Sequence, residues 1–175
     1  MILTFTWTSG FALVTSFLGT LAFLEPPVRT PPPVFQFEAF NTMSDGPRLL
    51  LKGWSKPEHW GTWTNGPRAN LNWSLDRQPT TDIRVLVKGY IYPRDANIRQ
   101  AIQVLVNDKP VTVIERNHEG DIYGGNFDIP RSVALSRDPM RIEFVVENPM
   151  SPLSLGDSDD ARKLGLGLES IELAY

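Results

Sequence analysis

The sequence predicts an all-β protein: an antiparallel two-sheet, jelly-roll-like β-sandwich preceded by one N-terminal transmembrane helix. Two observations lead to this prediction. Residues 1–24 contain no charged side chain, whereas from residue 35 onward apolar and polar residues alternate in short runs separated by Gly, Pro, Asn and Asp. The 175 residues are enough for one such domain.

Composition limits the function classes. The chain has 17 Lys and Arg against 20 Asp and Glu, a net charge of -3, and this balance argues against nucleic acid as a partner. The sequence has no Cys, which excludes disulfide frameworks, thiolate zinc sites and cysteine nucleophiles. Neither result indicates a compartment.

The first segment, Met1 to Leu24, is long enough to cross a membrane. As a helix it would extend about 36 Å, against a hydrocarbon core of about 30 Å. A cleavable signal peptide, cut near Thr20 and Ala22, is the alternative; it would begin with Lys or Arg, and this segment does not. We therefore expect a retained anchor in membrane lipid, with Thr15 and Gly19 as a small-residue pair for contact with another helix.

Residues 25–34, EPPVRTPPPV, form a proline-rich linker, since five of the ten residues are proline. Proline restricts its own backbone and that of its predecessor, so this linker is expected to be an extended, semi-rigid spacer. Recognition by an SH3-type domain is the alternative. The β-sandwich is assigned to residues 35–175.

Eight short strands are predicted in that domain, at residues 49–52, 69–75, 82–87, 100–106, 111–114, 126–129, 141–146 and 166–175. Asn107 to Pro110 are expected to form the turn of a hairpin. The last strand changes phase near Glu169 and Ser170, which predicts a β-bulge there. The predicted core residues are Trp73, Ile83, Val85, Val87, Val104, Ile142, Phe144 and Val146.

Two sequence motifs carry a family resemblance. The first is GW..PE.WG.W, made by Gly53, Trp54, Pro57, Glu58, Trp60, Gly61 and Trp63. The second follows Ser151 and Pro152 and consists of Asp160, Arg162, Leu164 and Gly165. Over residues 49–175 the chain resembles the carbohydrate-binding-like β-sandwich domains attached to bacterial membrane proteins of cell-surface polysaccharide assembly. The resemblance implies an extracytoplasmic, periplasmic domain of the cell envelope. Any enzymatic activity of the membrane proteins that carry such domains does not transfer to this chain.

The tryptophans of the first motif have two interpretations. Exposed indoles stack on sugar rings, so Trp60 and Trp63 with Glu58, Asn65 and Arg68 would form a binding site for a glycan or a partner protein. In the structural interpretation, Trp73 is core while Trp54 and Trp60 cover a sheet edge. Glu58 would then accept backbone hydrogen bonds or pair with an Arg of its own loop.

Other candidate chemistry is weaker. Asp157, Asp159 and Asp160 could offer oxygen ligands to Ca²⁺, but Arg162 and Lys163 follow directly, which favours local ion pairs. Gly156, Asp157 and Ser158 begin like a GDS esterase motif, yet no His follows residue 118 to act as a base. His59 and His118 lack metal-ligand spacing. No cofactor and no metal site are predicted.

The sequence therefore predicts a non-enzymatic, single-pass membrane protein with a carbohydrate-binding-like module, whose partner is an envelope glycan. The alternative is an architectural accessory subunit of a membrane complex, for example a photosynthetic, transport or polysaccharide-export complex. In that case the sandwich and the span would contact other subunits. An enzyme is the third hypothesis, and no catalytic constellation supports it.

Overall fold

A computed structural model describes residues 31–93, 95, 97–116 and 125–175. In this part of the chain there are nine strands, two one-turn α-helices and one 3-10 turn at Gly46–Leu49. The strands are β1 (Phe35–Ala39), β2 (Thr62–Trp63), β3 (Arg68–Trp73), β4 (Ile83–Ile91), β5 (Ala101–Val106), β6 (Lys109–Glu115), β7 (Asn126–Ile129), β8 (Met140–Val146) and β9 (Leu166–Ala174). The helices are α1 (Arg131–Ala134) and α2 (Pro152–Leu155).

The strands form two antiparallel sheets, as predicted. One has five strands in the order β1-β9-β4-β7, with β2 also pairing with β9. The other has four strands in the order β3-β8-β5-β6. The fold is therefore all-β and sandwich-like, and its core cluster draws side chains from both sheets.

The predicted inward-facing residues are confirmed. Each of the eight is 2% exposed or less: Trp73, Ile83, Val85, Val87, Val104, Ile142, Phe144 and Val146. Alternation identified them because successive side chains of a strand point to opposite faces of its sheet.

The predicted bulge in the last strand is also confirmed. Lys88 of β4 lies opposite Ser170, and the next residue, Gly89, lies opposite Leu168, so Glu169 is the extra residue. This shift places Leu166 and Leu168 in the same core as Ile171, Leu173 and Tyr175, all of them buried.

The predicted hairpin joins β5 to β6, but its turn is shorter than expected. Asn107 and Asp108 alone form it, with positive φ values of 49° and 66°. Two such residues make the type I′ turn that matches strand twist, which Asn and Asp tolerate better than most residues. Lys109 and Pro110 already belong to β6.

The predicted strand at residues 49–52 is wrong. Gly46 and Pro47 begin a 3-10 turn that occupies Leu49, and only an isolated bridge between Leu50 and Leu71 follows. Proline favours the first position of such a helical turn, and this local preference overrides the short apolar run. Strands β1 and β2 were not predicted, and β3 ends at Trp73, before the expected end at residue 75.

The predicted membrane span lies outside the described residues, as does most of the proline-rich linker. Among the residues that are described, no helix has the length and apolar character needed to cross a bilayer. The linker's last residue, Val34, already pairs with Tyr175 through two backbone hydrogen bonds of 2.7 and 3.1 Å.

Candidate functional site

The first half of the GW..PE.WG.W motif attaches its loop to the four-stranded sheet. The indole N–H of Trp54 donates to the backbone oxygen of Asn70 at 2.9 Å, and its ring meets Phe144 edge-on at 5.9 Å. Gly53 adopts a φ of 85°, and a Cβ there would lie 1.9 Å from the backbone oxygen of Arg68. Only glycine fits such a close approach, so this half of the motif is structural.

Glu58 joins the two sequence motifs. Its Oε2 accepts the indole N–H of Trp60 at 3.0 Å, and its Oε1 accepts a guanidinium N–H of Arg162 at 3.1 Å. Arg162 also forms a bidentate pair with Asp160, at 3.0 and 2.7 Å. We call Glu58, Trp60, Asp160 and Arg162 the motif latch. The expectation that Glu58 pairs with an Arg of its own loop is wrong, because its partner comes from the distant second motif.

The pairing within the latch shifts the pKa values of Asp160 and Arg162. Hydrogen bonds from Arg162 lower the pKa of Asp160, because they stabilise the ionised carboxylate. The same contacts with Asp160, and those with Glu58, raise the pKa of Arg162. Where the structure describes the chain, no three His, Cys, Asp or Glu residues are grouped to hold a metal. Asp157, Asp159 and Asp160 do not form such a group.

An aromatic row crosses the outer face of the five-stranded sheet. Tyr90, Trp60, Trp63 and Tyr92 follow one another edge-to-face, with ring centroids 5.2, 5.2 and 6.3 Å apart. Gly167 of β9 lies opposite both Tyr90 and Trp63, and a Cβ there would come within 2.8 Å of ring carbons of both tryptophans. The two indoles therefore pack directly on the bare backbone of β9.

Trp63 and Tyr92 also form a wall of an open cleft with a volume of about 480 Å³. The remaining lining residues are Pro93, Asp95, Ile98, Leu155, Asp157 and Leu164. The cleft thus combines two aromatic rings and several apolar side chains with two carboxylates. Its volume lies in the range of small-ligand sites, about 300–1,000 Å³.

Asp157 fixes the orientation of the Tyr92 ring. The Tyr92 hydroxyl donates to Asp157 Oδ2 at 2.6 Å, a short hydrogen bond typical of a charged acceptor. Burial, and then the bond and charge of Asp157, raise the pKa of Tyr92 to about 12. The phenol therefore remains a proton donor to this carboxylate throughout the physiological pH range.

Asp157 is positioned by the segment before the second motif. Ser151 caps α2 by accepting the backbone N–H of Ser154 at 3.0 Å, and Pro152 occupies the first turn. Gly156 ends the helix with a φ of 77°, and Asp157 follows directly. Helix α2 is therefore capped by Ser151 and ends at Gly156, and Asp157, the next residue, places its carboxylate at the cleft.

The predicted site residues are only partly brought together. Trp60 and Trp63 belong to the aromatic row, and Glu58 accepts the Trp60 indole N–H within the latch. Asn65 instead connects the two motifs, since its Oδ1 accepts the backbone N–H of Lys163 at 3.1 Å. Arg68 lies on β3, where it pairs with Glu143 of β8 at 3.1 Å. Thr15, Gly19 and His118 lie outside the described residues.

Sequence reasoning missed Tyr92 and Asp95 and gave Asp157 a different role. A usable signal existed: Tyr90 and Tyr92 flank Ile91, the last residue of β4, which is buried. The alternation therefore predicts that Tyr92, directly after the strand, lies on the same outer side as Tyr90. Nothing local in the sequence shows that the loop containing Asp157 returns to this face.

Comparison with known families gives one result for this domain. Residues 40–175 match the family model described as a domain of unknown function, DUF7024. A search of curated proteins finds no match. Because the match covers residues 40–175 of 175, the chain belongs to the DUF7024 family.

Proposed function

We propose that this chain is a non-enzymatic, carbohydrate-binding-like module of the bacterial cell envelope, held at the membrane by its N-terminal segment. The observation that carries this proposal is the cleft beside the aromatic row. Trp63 and Tyr92 supply flat apolar faces for the C–H face of a sugar ring, while Asp95 and Asp157 supply acceptors for hydroxyl groups.

The strand pairing supports a jelly roll, an architecture that occurs in lectin domains. Apart from the two-residue β2, the described strands pair from the outside of the chain inward: β1 with β9, β3 with β8, β4 with β7, and β5 with β6. This nested order is that of a long hairpin folded over into two sheets. The fold alone does not assign a ligand, so the proposal depends on the cleft.

The anchor and its sidedness rest on the sequence. The uncharged residues 1–24 support a single-pass span, and the resemblance to polysaccharide-assembly domains supports an extracytoplasmic position for the sandwich. The non-enzymatic part of the proposal rests on the absence of a nucleophile and base at suitable spacing in the sequence. No cofactor is required.

The test is glycan binding by the full chain in mild detergent. An array of envelope glycans identifies a ligand, and calorimetry then compares wild type with Trp63→Ala. Loss of the indole face should weaken binding by about 1–3 kcal/mol without unfolding the domain. Phe37→Ala is the matched control, because Phe37 is an exposed aromatic residue on β1 outside the cleft. If wild type binds no envelope glycan at millimolar concentration, the carbohydrate proposal fails.

A second candidate is the architectural subunit, and one observation favours it. Phe35 and Phe37 of β1 are 76% and 60% exposed, which is unusual for two aromatic residues on the same side of one strand. Side chains of this kind are enriched at protein–protein interfaces.

Purification from native membranes in mild detergent separates the two candidates. A stoichiometric complex that loses its partners when Phe35 and Phe37 are both changed to Ser, together with no glycan binding, would favour the subunit. A glycan-binding chain whose behaviour is unchanged by the same double substitution would favour the module.

A further inference from the structure

An exposed apolar surface lies at the start of the sandwich, apart from the cleft. Gln36 of β1 points inward, because its amide donates to the Ser74 backbone oxygen at 3.2 Å and accepts the Tyr175 hydroxyl at 2.8 Å. Side chains alternate along a strand, so Phe35 and Phe37, on either side of Gln36, lie on the outer face of the five-stranded sheet. Both are exposed, and β1 is the edge strand.

The strand register extends this surface onto two neighbouring strands. Phe35 lies opposite Ala174 of β9, and Phe37 lies opposite Glu172, whose other neighbour is Leu86 of β4. Phe35, Phe37, Leu86 and Ala174 are among the residues that line an open groove of about 240 Å³, and we call these four the edge patch. Exposed apolar patches mark contacts with proteins or with membranes.

Two ion pairs lie beside the edge patch. Glu172 pairs with Lys88 at 3.1 Å, and Arg84 pairs with Asp128 at 3.3 Å. Each pair joins one cation to one carboxylate, so these four side chains together carry no net charge. The contact that they leave to the edge patch is an apolar one.

The position of the patch in the chain favours a lipid surface as its occupant. Phe35 begins β1 and follows the ten-residue linker, residues 25–34, which comes directly after the uncharged residues 1–24. Val34, at the end of the linker, is bound to Tyr175 by two backbone hydrogen bonds, so the chain enters the sandwich beside the patch. Ten residues extend at most about 36 Å. A span formed by residues 1–24 would therefore keep the patch close to the bilayer, at a high effective concentration.

We propose that the edge patch rests on the lipid bilayer, with the rings of Phe35 and Phe37 between the headgroups. The apolar face of a helix at a membrane surface is buried by about 5–10 Å, and two rings that project from a strand can reach a similar depth. Because the adjacent ion pairs are neutral, the contact should form on zwitterionic lipid and resist salt. This inference rests on the proposed function, because it requires the membrane anchor.

The experiment places the full chain, one copy per disc, in phosphatidylcholine nanodiscs that contain a lipid with a nitroxide on its headgroup. The sequence has no Cys, so one introduced Cys carries the only fluorophore. Glu172→Cys labels the patch. Glu115→Cys is the matched control site, because Glu115 also pairs with a cation at 3.1 Å but lies on β6 of the other sheet. We expect the nitroxide to quench the label at position 172 about twofold or more strongly than the label at position 115, in low salt and in about 1 M salt.

Two further variants locate the contact. Phe35→Ser combined with Phe37→Ser should lower the quenching at position 172 to the level at position 115. Leu153→Ser is the matched control, because Leu153 is an exposed apolar residue on α2, outside the patch, and it should leave the quenching unchanged. If the double variant fails to fold, the comparison of the two labelled positions decides the inference by itself.

The outcomes separate this inference from the proposed function. Equal quenching at the two positions, or stronger quenching at position 172 that survives the double substitution, overturns the lipid contact while the anchor stands. Energy transfer between labels at position 172 in discs with two copies, without quenching by the lipid, assigns the patch to a second copy and also overturns it. If the discs do not retain the full chain, the anchor of the proposed function fails, and the inference fails with it.

Discussion

The motif latch makes a quantitative prediction about Glu58. Glu58→Ala removes one acceptor of the Trp60 indole and one of the two carboxylates that hold Arg162. It leaves Arg162 paired with Asp160, and it leaves the backbone bond from the Glu58 N–H to the Gly61 oxygen, at 2.7 Å, in place. The loss is therefore confined to two side-chain contacts.

Each contact contributes a modest amount. The ion pair is about one-third exposed on both sides, so it stabilises the fold by about 0.5 kcal/mol. The indole bond to a charged acceptor contributes about 1.5 kcal/mol. The sum, about 2 kcal/mol, corresponds to a fall in Tm of about 6 °C for a domain of this size.

The assay is thermal unfolding of wild type, Glu58→Ala, Arg162→Ala and the double variant. We expect a coupling free energy of about 0.5–1 kcal/mol between the two sites. Glu172→Ala is the control: Glu172 pairs with Lys88 at the same 3.1 Å on the open surface, so its loss should cost less than about 0.5 kcal/mol. Additive effects of Glu58 and Arg162, or a Glu58 effect as small as the control's, would refute the latch.

The latch should also weaken in acid. The pKa of Asp160 is lowered in the folded state. The Asp160–Arg162 pair therefore contributes fully to the stability of the fold above the ordinary carboxyl pKa of about 4, and this contribution is lost as pH falls through the lowered pKa of Asp160. In Asp160→Asn the decline of Tm with acid should therefore be shallower than in wild type. If Tm falls equally steeply with acid in wild type and in Asp160→Asn, the Asp160–Arg162 pair does not persist in solution.

Three further predictions concern the core and the aromatic row. Phe144→Ala should cost about 3–5 kcal/mol in denaturant unfolding, since the ring is fully buried; a cost below about 1 kcal/mol would contradict its place in the core. Gly167→Ala should displace the two indoles above it and cost about 1–3 kcal/mol, and an unchanged near-ultraviolet circular dichroism spectrum would contradict the packing. The Tyr92 phenol should titrate near pH 12 when followed by ultraviolet absorbance, and at lower pH in Asp157→Asn. Because the pKa of Tyr92 is raised in the folded state, the contribution of the phenol to stability is complete below about pH 10 and is lost as pH rises toward 12.

Alternation predicted most of the sandwich because each sheet has one buried face. Trp73, Val85 and Phe144 could be placed inward from their neighbours alone, and even the bulge at Glu169 followed from a change of phase. Two elements were missed for different reasons. Strand β2 has two residues, too few to alternate. Strand β1 alternates in sequence, but it is a five-residue edge strand whose aromatic residues Phe35 and Phe37 lie on the exposed side and not in the core.

The site was harder to predict, because its members meet only through the fold. Glu58 and Arg162 are 104 residues apart, and Tyr92 and Asp157 are 65 apart. Residue type predicted Trp63 as a glycan- or partner-binding residue and Asp157 as a candidate Ca²⁺ ligand, but not that the two line one cleft. Sequence spacing carries information only over the length of one element and its turn.

The two sequence motifs and the cleft have different roles in this domain. Gly53, Trp54, Glu58 and Arg162 all make contacts inside the fold, and Gly61 lies where a Cβ would come 2.3 Å from the Leu168 backbone oxygen. Their spacing is thus set by packing, and its presence indicates the scaffold. Trp63 and Leu164 are the motif residues that line the cleft, and its other described lining residues lie outside the motifs: Tyr92, Pro93, Asp95, Ile98, Leu155 and Asp157. Under the proposed function, these six would set the choice of ligand. A domain with both motifs and a Lys in place of Asp157 should therefore keep the fold but lose the hydrogen bond that orients Tyr92 in the cleft, so a ligand has to be inferred from the cleft and not from the motifs.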